Sequence, residues 1–560
     1  MKRILCILLA LSLVVAAFAA CGGTSDNNSS GNTPTQAASS GGDISGGDAV
    51  TDDRPLLTYS TVIWGVIADF EQRACWDVIE DKFNINFKFE FVSEDLFNEK
   101  INIMVQTDTL PDFGCFGDNP IRLHTWGDEG FLMPLNDFIE NQGTHIRAKW
   151  ATYPQYREAC TGPNGKIYWL PLVQFGRTLQ CDNHLFVNQS FLKELGMEMP
   201  TTTDEFYRYL RGVKDNDVNG NGDMNDEIPL ISMETMWAGF SLFHSRLVSA
   251  FTPVTMYDMR IISEDGIVSA WKASDGFREA MRYLRRLYEE ELWYNEALVW
   301  DQATQYALTD IDPDYVTIGA GNGIHGHAVC NWESTRWLDY EALAPLNLAN
   351  GGSNPRTPGG VEIGSQINAK CPNPERLFEF LDWMASEEGS WLATMGIEGI
   401  DYLPAQPGDL TVNGDVALAR RMYPDGAPDD FIPSTMGFSW PWYSTAISSN
   451  PYWFDFTVGY QSAWDKFTTN YYLDLYTPGM LPASRYWPQI LYYDDPDLND
   501  EMAILNTDMW NTMALAQNEF VTGVRDVEKD WDAYLAELNR MGLPRFLEIS
   551  QLVYNNSKGK

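Results

Sequence analysis

The stretch LLTYSTVIWGVIADFEQRACWDVIEDKFNINFKFEFV, residues 56–92, decides the fold. Residues 58–63 are β-branched, aromatic or small, which predicts a strand, and Val78, Ile79 and Phe83 then give a helix an apolar face. The run FNINFKFEFV that follows alternates apolar and polar residues at period two, as a strand does when it buries one side. Residues 96–105 predict another helix, and Leu110-Pro111-Asp112 a turn. Strand, helix, strand, helix is the rhythm of a parallel α/β layer.

Outward from this segment the chain repeats the theme with variations. GPNGKIYWLPLVQFGRTLQCDNHLFVN, residues 162–188, reads as a turn and two strand-like runs, a place for the chain to cross from one lobe to another. Beyond it the pattern is helical. Gly196 is placed to end one helix and Thr203 to cap the next, with Phe206, Leu210 and Val213 on one face. Residues 275–292 put Phe277, Met281, Leu284 and Tyr288 on a stripe, which predicts core. Residues 373–396 read as a helix pair, and the C-terminal third as helix-rich, aromatic and loop-heavy.

The N-terminus predicts export. Lys2 and Arg3 precede an apolar run over 4–17, too short to span a bilayer, and small residues lead into Cys21. Phe18-Ala19-Ala20-Cys21 resembles the lipobox of bacterial lipoproteins, which implies cleavage before Cys21 and a diacylglycerol thioether on it. Ordinary cleavage near Ala20 is the alternative. Residues 22–52 are Gly, Ser, Asn, Thr and Asp with almost nothing to bury, the composition of a flexible tether. No later run is long and apolar enough for a membrane helix, so a soluble body displayed on a membrane surface is expected.

That body of roughly 500 residues can build two large lobes. The formal charge is −40, from 78 acidic and 38 basic residues, which makes nucleic acid and anionic membranes poor partners. Six cysteines remain after Cys6 and Cys21: Cys75, Cys115, Cys160, Cys181, Cys330 and Cys371. They lack metal-ligand spacing, and disulfides and buried thiols both stay open. No GxSxG, HExxH or phosphate-binding P-loop is present, and His325-Gly326-His327 reads as loop, so no catalytic residue is assigned.

DNDVNGNGDMNDE, residues 215–227, is the sharpest local motif. Hard cations such as Ca²⁺ take oxygen ligands, and oxygen-bearing residues alternating around glycines supply them. Asp217, Asn219 and Asn221 stand at 1, 3, 5 spacing, Asp223 follows, and Asp226 or Glu227 closes the set. A strict EF-hand counted from Asp217 would need Glu where Ile228 stands. Counted from Asp215, Asp226 is twelfth and Gly220 sixth.

Sugars bind by stacking on aromatic rings while planar polar groups reach their hydroxyls. Aromatic residues in expected loops are therefore ligand candidates: Trp64 beyond the first strand, Trp169 in the crossover, Trp237, Trp332, Trp440 and Trp442. Asp112 and Arg177 are the polar candidates, with a cap and an interlobe ion pair as their structural alternatives.

Four segments taken together carry a resemblance: GPNGKIYWLP (162–171), the run 185–230 from LFVNQSFLKELG to NDEIPL, NPERLFEFLDWMASEEGSWLATMGIEGIDY (373–402), and the run 520–556 from FVTGVRDVEKDW to LVYNN. In this order they resemble the family 1 extracellular solute-binding lipoproteins, in the branch that includes alginate-binding proteins. The resemblance implies an α/β, two-lobed, periplasmic-binding-protein-like fold of type II, with hinge crossovers and ligand in the interlobe cleft. Its expected division is a signal peptide over 1–20, a tether over 21–54, a first lobe from 55–178 and 351–405, and a second lobe from 179–350 and 406–560. It implies an oligosaccharide ligand, an ABC-transporter permease as partner, a lipid anchor at the outer face of the cell membrane, and a monomer that is not an enzyme. In that family a DxNGNGxxDE loop holds a structural calcium. This chain has one residue more before Asp226-Glu227, so its ligand set is open. A secreted polysaccharide hydrolase and an oligopeptide-binding lipoprotein are the rival readings.

Overall fold

The computed structural model describes residues 54–63, 74–93, 96–117, 119–173, 184–231, 246–255, 258–296, 308, 315–323, 329, 336, 339–350, 352, 361–411, 416–421, 475–487 and 496–557. The signal segment, Cys21 and the tether lie outside them.

In chain order the strands are β1 (Leu56–Ile63), β2 (Asn86–Ser93), β3 (Phe113–Gly114), β4 (Trp169–Val173), β5 (His184–Asn188), β6 (Ile228–Ile231), β7 (Arg260–Ile262), β8 (Val268–Ala270), β9 (Ile318–Gly323), β10 (Tyr340–Ala342), β11 (Val361–Ile367), β12 (Tyr402–Pro404) and β13 (Ala419–Arg421). They form two main mixed sheets, ordered β2-β1-β3-β11-β4 and β10-β5-β9-β6.

In the first sheet β1 pairs in parallel with β2 and β3, and the late strand β11 enters antiparallel between β3 and β4. The alternation in β2 buries Phe87 while Lys88 faces water, and Trp76 meets Phe87 and Phe89 at 5.4 and 4.8 Å. Tyr59 stacks on Phe113 at 4.6 Å. The helix Ala74–Phe83 buries Cys75, Trp76, Ile79 and Phe83. Val78, expected on that face, is 41% exposed because it lies across the helix from Trp76, Ile79 and Phe83. Gly114 makes β3 possible: its φ is +150°, and a Cβ there would sit 2.3 Å from the Ser60 carbonyl oxygen.

The second sheet has a core of its own, completed by helices from the far end of the chain. Phe277, Met281 and Leu284 of the helix Asp275–Glu289 meet Met509, Met513 and Phe520 of Pro496–Thr522, Tyr534 of Trp531–Met541, and Phe546 and Ile549 of Leu543–Ser557. Gly196 follows the helix Gln189–Glu194 at φ +62°. The cap of Thr203–Asp215 falls one residue earlier than expected. Thr202 is the N-cap, in a reciprocal box with Glu205, because Ser/Thr-x-x-Glu spacing satisfies two terminal N–H groups and a Thr203 cap would not.

β12 and β13 form a hairpin that pairs Tyr402 with Arg421 and Pro404 with Ala419. The boundary expected between 405 and 406 falls within this hairpin. Cys75, Cys115, Cys160 and Cys371 are buried in the first core. Cys160 donates to the Tyr156 carbonyl at 2.8 Å, and burial pushes its thiol well above the usual range. Cys181 and Cys330 lie outside the described residues.

Candidate functional site

Strand directions single out one edge of each sheet. In the first, β1, β2, β3 and β4 all run the same way, since β4 and β3 are each antiparallel to β11. In the second, β6 and β9 are parallel, β10 runs with them, and β5 opposes all three. Ligands of open α/β sheets bind in the crevice outside the carboxyl ends of the strands. Four segments leaving those ends carry sequence candidates: Trp64 directly after β1, Arg177 after β4, Trp237 after β6 and Trp332 after β9. These four side chains, and Trp440, Trp442 and the pair His325 and His327, lie outside the described residues.

The described part of the first edge is residues 115–117 and 119 and the helix Pro120–Asp128. The Asn119 side chain accepts from Ile121 N and Arg122 N at 3.0 and 3.2 Å, which fixes where the helix starts. Arg122 lies over the Trp126 ring at 5.2 Å, and Ile121 packs against the second core. Neither residue stands out in the sequence. The signal available was Asn119-Pro120, an N-cap followed by Pro at the first helical position.

Two sequence candidates are described, and both stand back from that edge. Trp169 is fully buried in the first core, and its indole N–H has no hydrogen-bond partner. Asp112 precedes β3 at the opposite end of the strand. Its carboxylate accepts from Thr58 N at 2.7 Å and its carbonyl from Asn368 N at 2.9 Å, so it pins β1 and β11 together.

The acidic loop lies between the helix Thr203–Asp215 and β6, with Val218 turned into the second core. Asp217 accepts from Gly220 N and Gly222 N at 2.8 and 2.9 Å, and the Asn219 and Asn221 side-chain oxygens accept from Asn221 N and Asp223 N. The Asn219 and Asn221 amides both donate to Asp226 Oδ2, at 3.2 and 2.7 Å. Asp226 Oδ1 and Glu227 Oε2 are buried without a partner, and burial, before the neighbouring Asp226, raises the Glu227 pKa. Asp223 turns outward and accepts from Asn225 N at 3.0 Å. Among the described residues no three His, Cys, Asp or Glu side chains converge as a metal cluster. The loop's donors are amide and carboxylate oxygens in pairs, and its two orphaned carboxylate oxygens fit a hard cation.

A family model for bacterial extracellular solute-binding proteins matches residues 71–391. The chain belongs to that family. Among its relatives is the fructooligosaccharide ABC transporter substrate-binding protein FusA of Streptococcus pneumoniae, 24% identical over 483 residues and 82% of each chain. A solved structure of a FusA EF-hand mutant in complex with fructo-nystose superposes with a TM-score of 0.75 at 22% identity, covering 90% of this chain and 99% of that one. The alginate-binding protein AlgQ2, solved without calcium ion, gives 0.64 at 20% identity over 90% and 98%. The fold is therefore the two-lobed, periplasmic-binding-protein-like α/β fold, and the family is extracellular. No described helix is long and apolar enough to cross a membrane.

Proposed function

We propose that this chain is the extracellular substrate-binding lipoprotein of an ABC importer and captures an oligosaccharide by closing its two lobes. The observation that carries the reading is the likeness along most of the chain to a fructooligosaccharide-binding protein, FusA, on a scaffold whose strand ends carry aromatic segments. Trp64, Trp237, Trp332, Trp440 and Trp442 supply stacking faces in this proposal, and Arg177 reaches hydroxyls. Trp169 and Asp112 support the first sheet from behind.

The first lobe comprises 55–178 and the return from 351 through the β12–β13 hairpin, and the second comprises 179–350 and the C-terminal helices. Sugar contacting both lobes binds the closed form better than the open one, which shifts the population toward closure. The permease then reads the closed state, so the chain delivers its ligand unchanged. Cys21 carries the lipid, and the tether lets the monomeric body range over the outer face of the membrane.

Calcium is structural in this proposal. Asp217, Asn219, Asn221, Asp226 and Glu227 hold it, and Asp223 offers its backbone carbonyl rather than its outward side chain. The ion neutralises the buried carboxylates and joins the helix Thr203–Asp215 to β6.

The test is calorimetry of the chain from residue 22 onward against fructan, milk-type and uronic oligosaccharides and short peptides. Saturable binding of one sugar class, recovered intact, is expected. Cleavage of the sugar would make the chain a hydrolase, and binding only to peptides would make it a peptide receptor.

A further inference from the structure

The late strand β11 meets β3 at two paired positions, Ile367 with Phe113 and Gln366 with Gly114. One step before them, Asn368 N donates to the Asp112 carbonyl at 2.9 Å. Bonded rungs of an antiparallel pair recur at every second residue, so the next two fall at 114 with 366 and at 116 with 364. At that last rung a side chain stands in. Phe116 N donates to Gln366 Oε1 at 2.5 Å, and Gln366 Nε2 donates to the Gly364 carbonyl at 2.7 Å. The amide of Gln366 therefore lies between the two groups that a regular ladder would join. β11 makes room for it by bulging: Ile363 pairs with Pro171 and Gln366 with Trp169, so β11 takes three steps where β4 takes two. An extra residue of this kind bends a strand and interrupts its pairing. Gln366 and Phe116 are both fully buried, so water does not compete for these bonds.

The inserted amide sits at the carboxyl end of β3, on the edge where open α/β sheets bind their ligands. We infer that Gln366 is a positioning residue for that edge: its amide holds the chain after β3 apart from β11 and sets where residues 115–117 leave the sheet. A direct bond from Phe116 N to the Gly364 carbonyl would draw the two to the ordinary strand spacing of about 4.8 Å, and an interposed amide keeps them wider. The residues that follow depend on this placement. A Cβ at Gly117 would lie 3.4 Å from Leu123 Cδ2 and 3.6 Å from Arg122 Nη2, so the segment seats directly on the helix Pro120–Asp128. Drawing the strands together would move segment and helix with them. One side chain that satisfies a buried donor and a buried acceptor holds the gap without leaving either unpaired. An edge already shaped before ligand arrives costs less to order on binding, so affinity rises without a new contact. The inference rests on the sugar-binding reading for its consequence, and on the two hydrogen bonds and the bulge for its geometry.

Gln366→Ala and Gln366→Met separate the spacing from the bonds. Ala lets Phe116 N and the Gly364 carbonyl pair directly, which closes the edge. Met keeps the width but offers neither a donor nor a strong acceptor. Three quantities are read on the chain from residue 22 onward: Tm, amide exchange without sugar in peptides covering 113–117, and calorimetry with nystose and with an alginate tetramer. Gln366→Ala is expected to keep native-like Tm and exchange and to weaken binding at least about tenfold. Gln366→Met is expected to lower Tm and speed exchange at 113–117, because it buries two unpaired groups, yet to bind within about threefold of the native chain. Affinity and stability then rank the two variants in opposite orders. The same order in both, equal affinities, or a Gln366→Ala chain that does not fold would reduce Gln366 to a structural bond. Native-like affinity in Gln366→Ala would overturn its positioning role outright. If the native chain binds neither these sugars nor the wider panel above, the sugar-binding reading fails, and Tm and exchange in the two variants still decide whether the amide holds the edge open.

Discussion

The two cores of this molecule are built in different ways. The first gathers most of its strands and helices from one stretch, 56–170, and takes only β11 and the helices around 374–395 from elsewhere. The second joins residues 185–346 to helices between 496 and 557, so its contacts span hundreds of positions. Local pattern therefore describes the first core well and the second poorly. The difference also divides the chemistry. The first core holds the four buried thiols and a buried histidine, and the second carries the acidic loop on its flank.

The largest expected effect breaks this pairing at its longest range. Phe520 is fully buried between the helix Pro496–Thr522 and its neighbours, and Phe520→Ala should cost about 3–5 kcal/mol. Hydrogen exchange should show lost protection in β5, β9 and the helix Asp275–Glu289 while β1 and β2 stay protected. Equal loss in both cores would mean that they are one cooperative unit.

A pH titration sharpens the contrast from the other side. Burial lowers the His124 pKa from 6.5 to about 4, against a smaller opposing pull from Asp128. With the folded pKa below the unfolded one, the unfolded chain takes up the proton first as pH falls. Stability is therefore complete above pH 6.5 and is lost as pH drops toward about 4, by up to about 3 kcal/mol. Denaturant titrations at several pH values should show this slope in the first core, and His124→Gln should flatten it.

Calcium should act on the second core. Under the proposed site, a hundredfold excess over Kd adds about 2.7 kcal/mol. The rise in Tm with Ca²⁺ should vanish in Asp226→Ala and persist in Asp223→Ala, whose side chain faces outward. A smaller effect returns to the first core. Asp382 accepts from His145 N at 3.0 Å and from Ile146 N at 2.9 Å, at the start of the helix Thr144–Thr152, and Asp382→Ala should cost about 1–3 kcal/mol in urea titrations.

How much was legible in the sequence follows from the same difference. Residues 58–63 and the alternation before Val92 announce β1 and β2, because a half-buried strand writes its two faces at period two. Phe277, Met281 and Leu284 announce their helix, but nothing in that stripe says that Phe520 will cover it. Such pairings are non-local. The β12–β13 hairpin was missed because Leu403, Val416 and Leu418 are exposed and give no core signal. At the site, an aromatic residue at a strand end could be flagged but not placed. Trp169 fits the sugar-binding pattern as well as Trp64 does, yet helices and strands close over it. Asp112 reads in the sequence as a ligand candidate or a cap, and its carboxylate accepts instead from Thr58 N on the neighbouring strand. The acidic loop was legible as a tight oxygen-rich turn because its donors are contiguous. Phe116 and Gln366 went unseen because they are brought together from positions far apart.

The hinged trap is tested most directly by small-angle scattering of the chain from residue 22 onward, titrated with a sugar that binds in calorimetry. The account predicts that the radius of gyration falls on binding, saturates with the calorimetric isotherm and recovers when the intact sugar is dialysed away. A saturated complex with an unchanged radius, or a change that persists because the sugar has been cleaved, would contradict it.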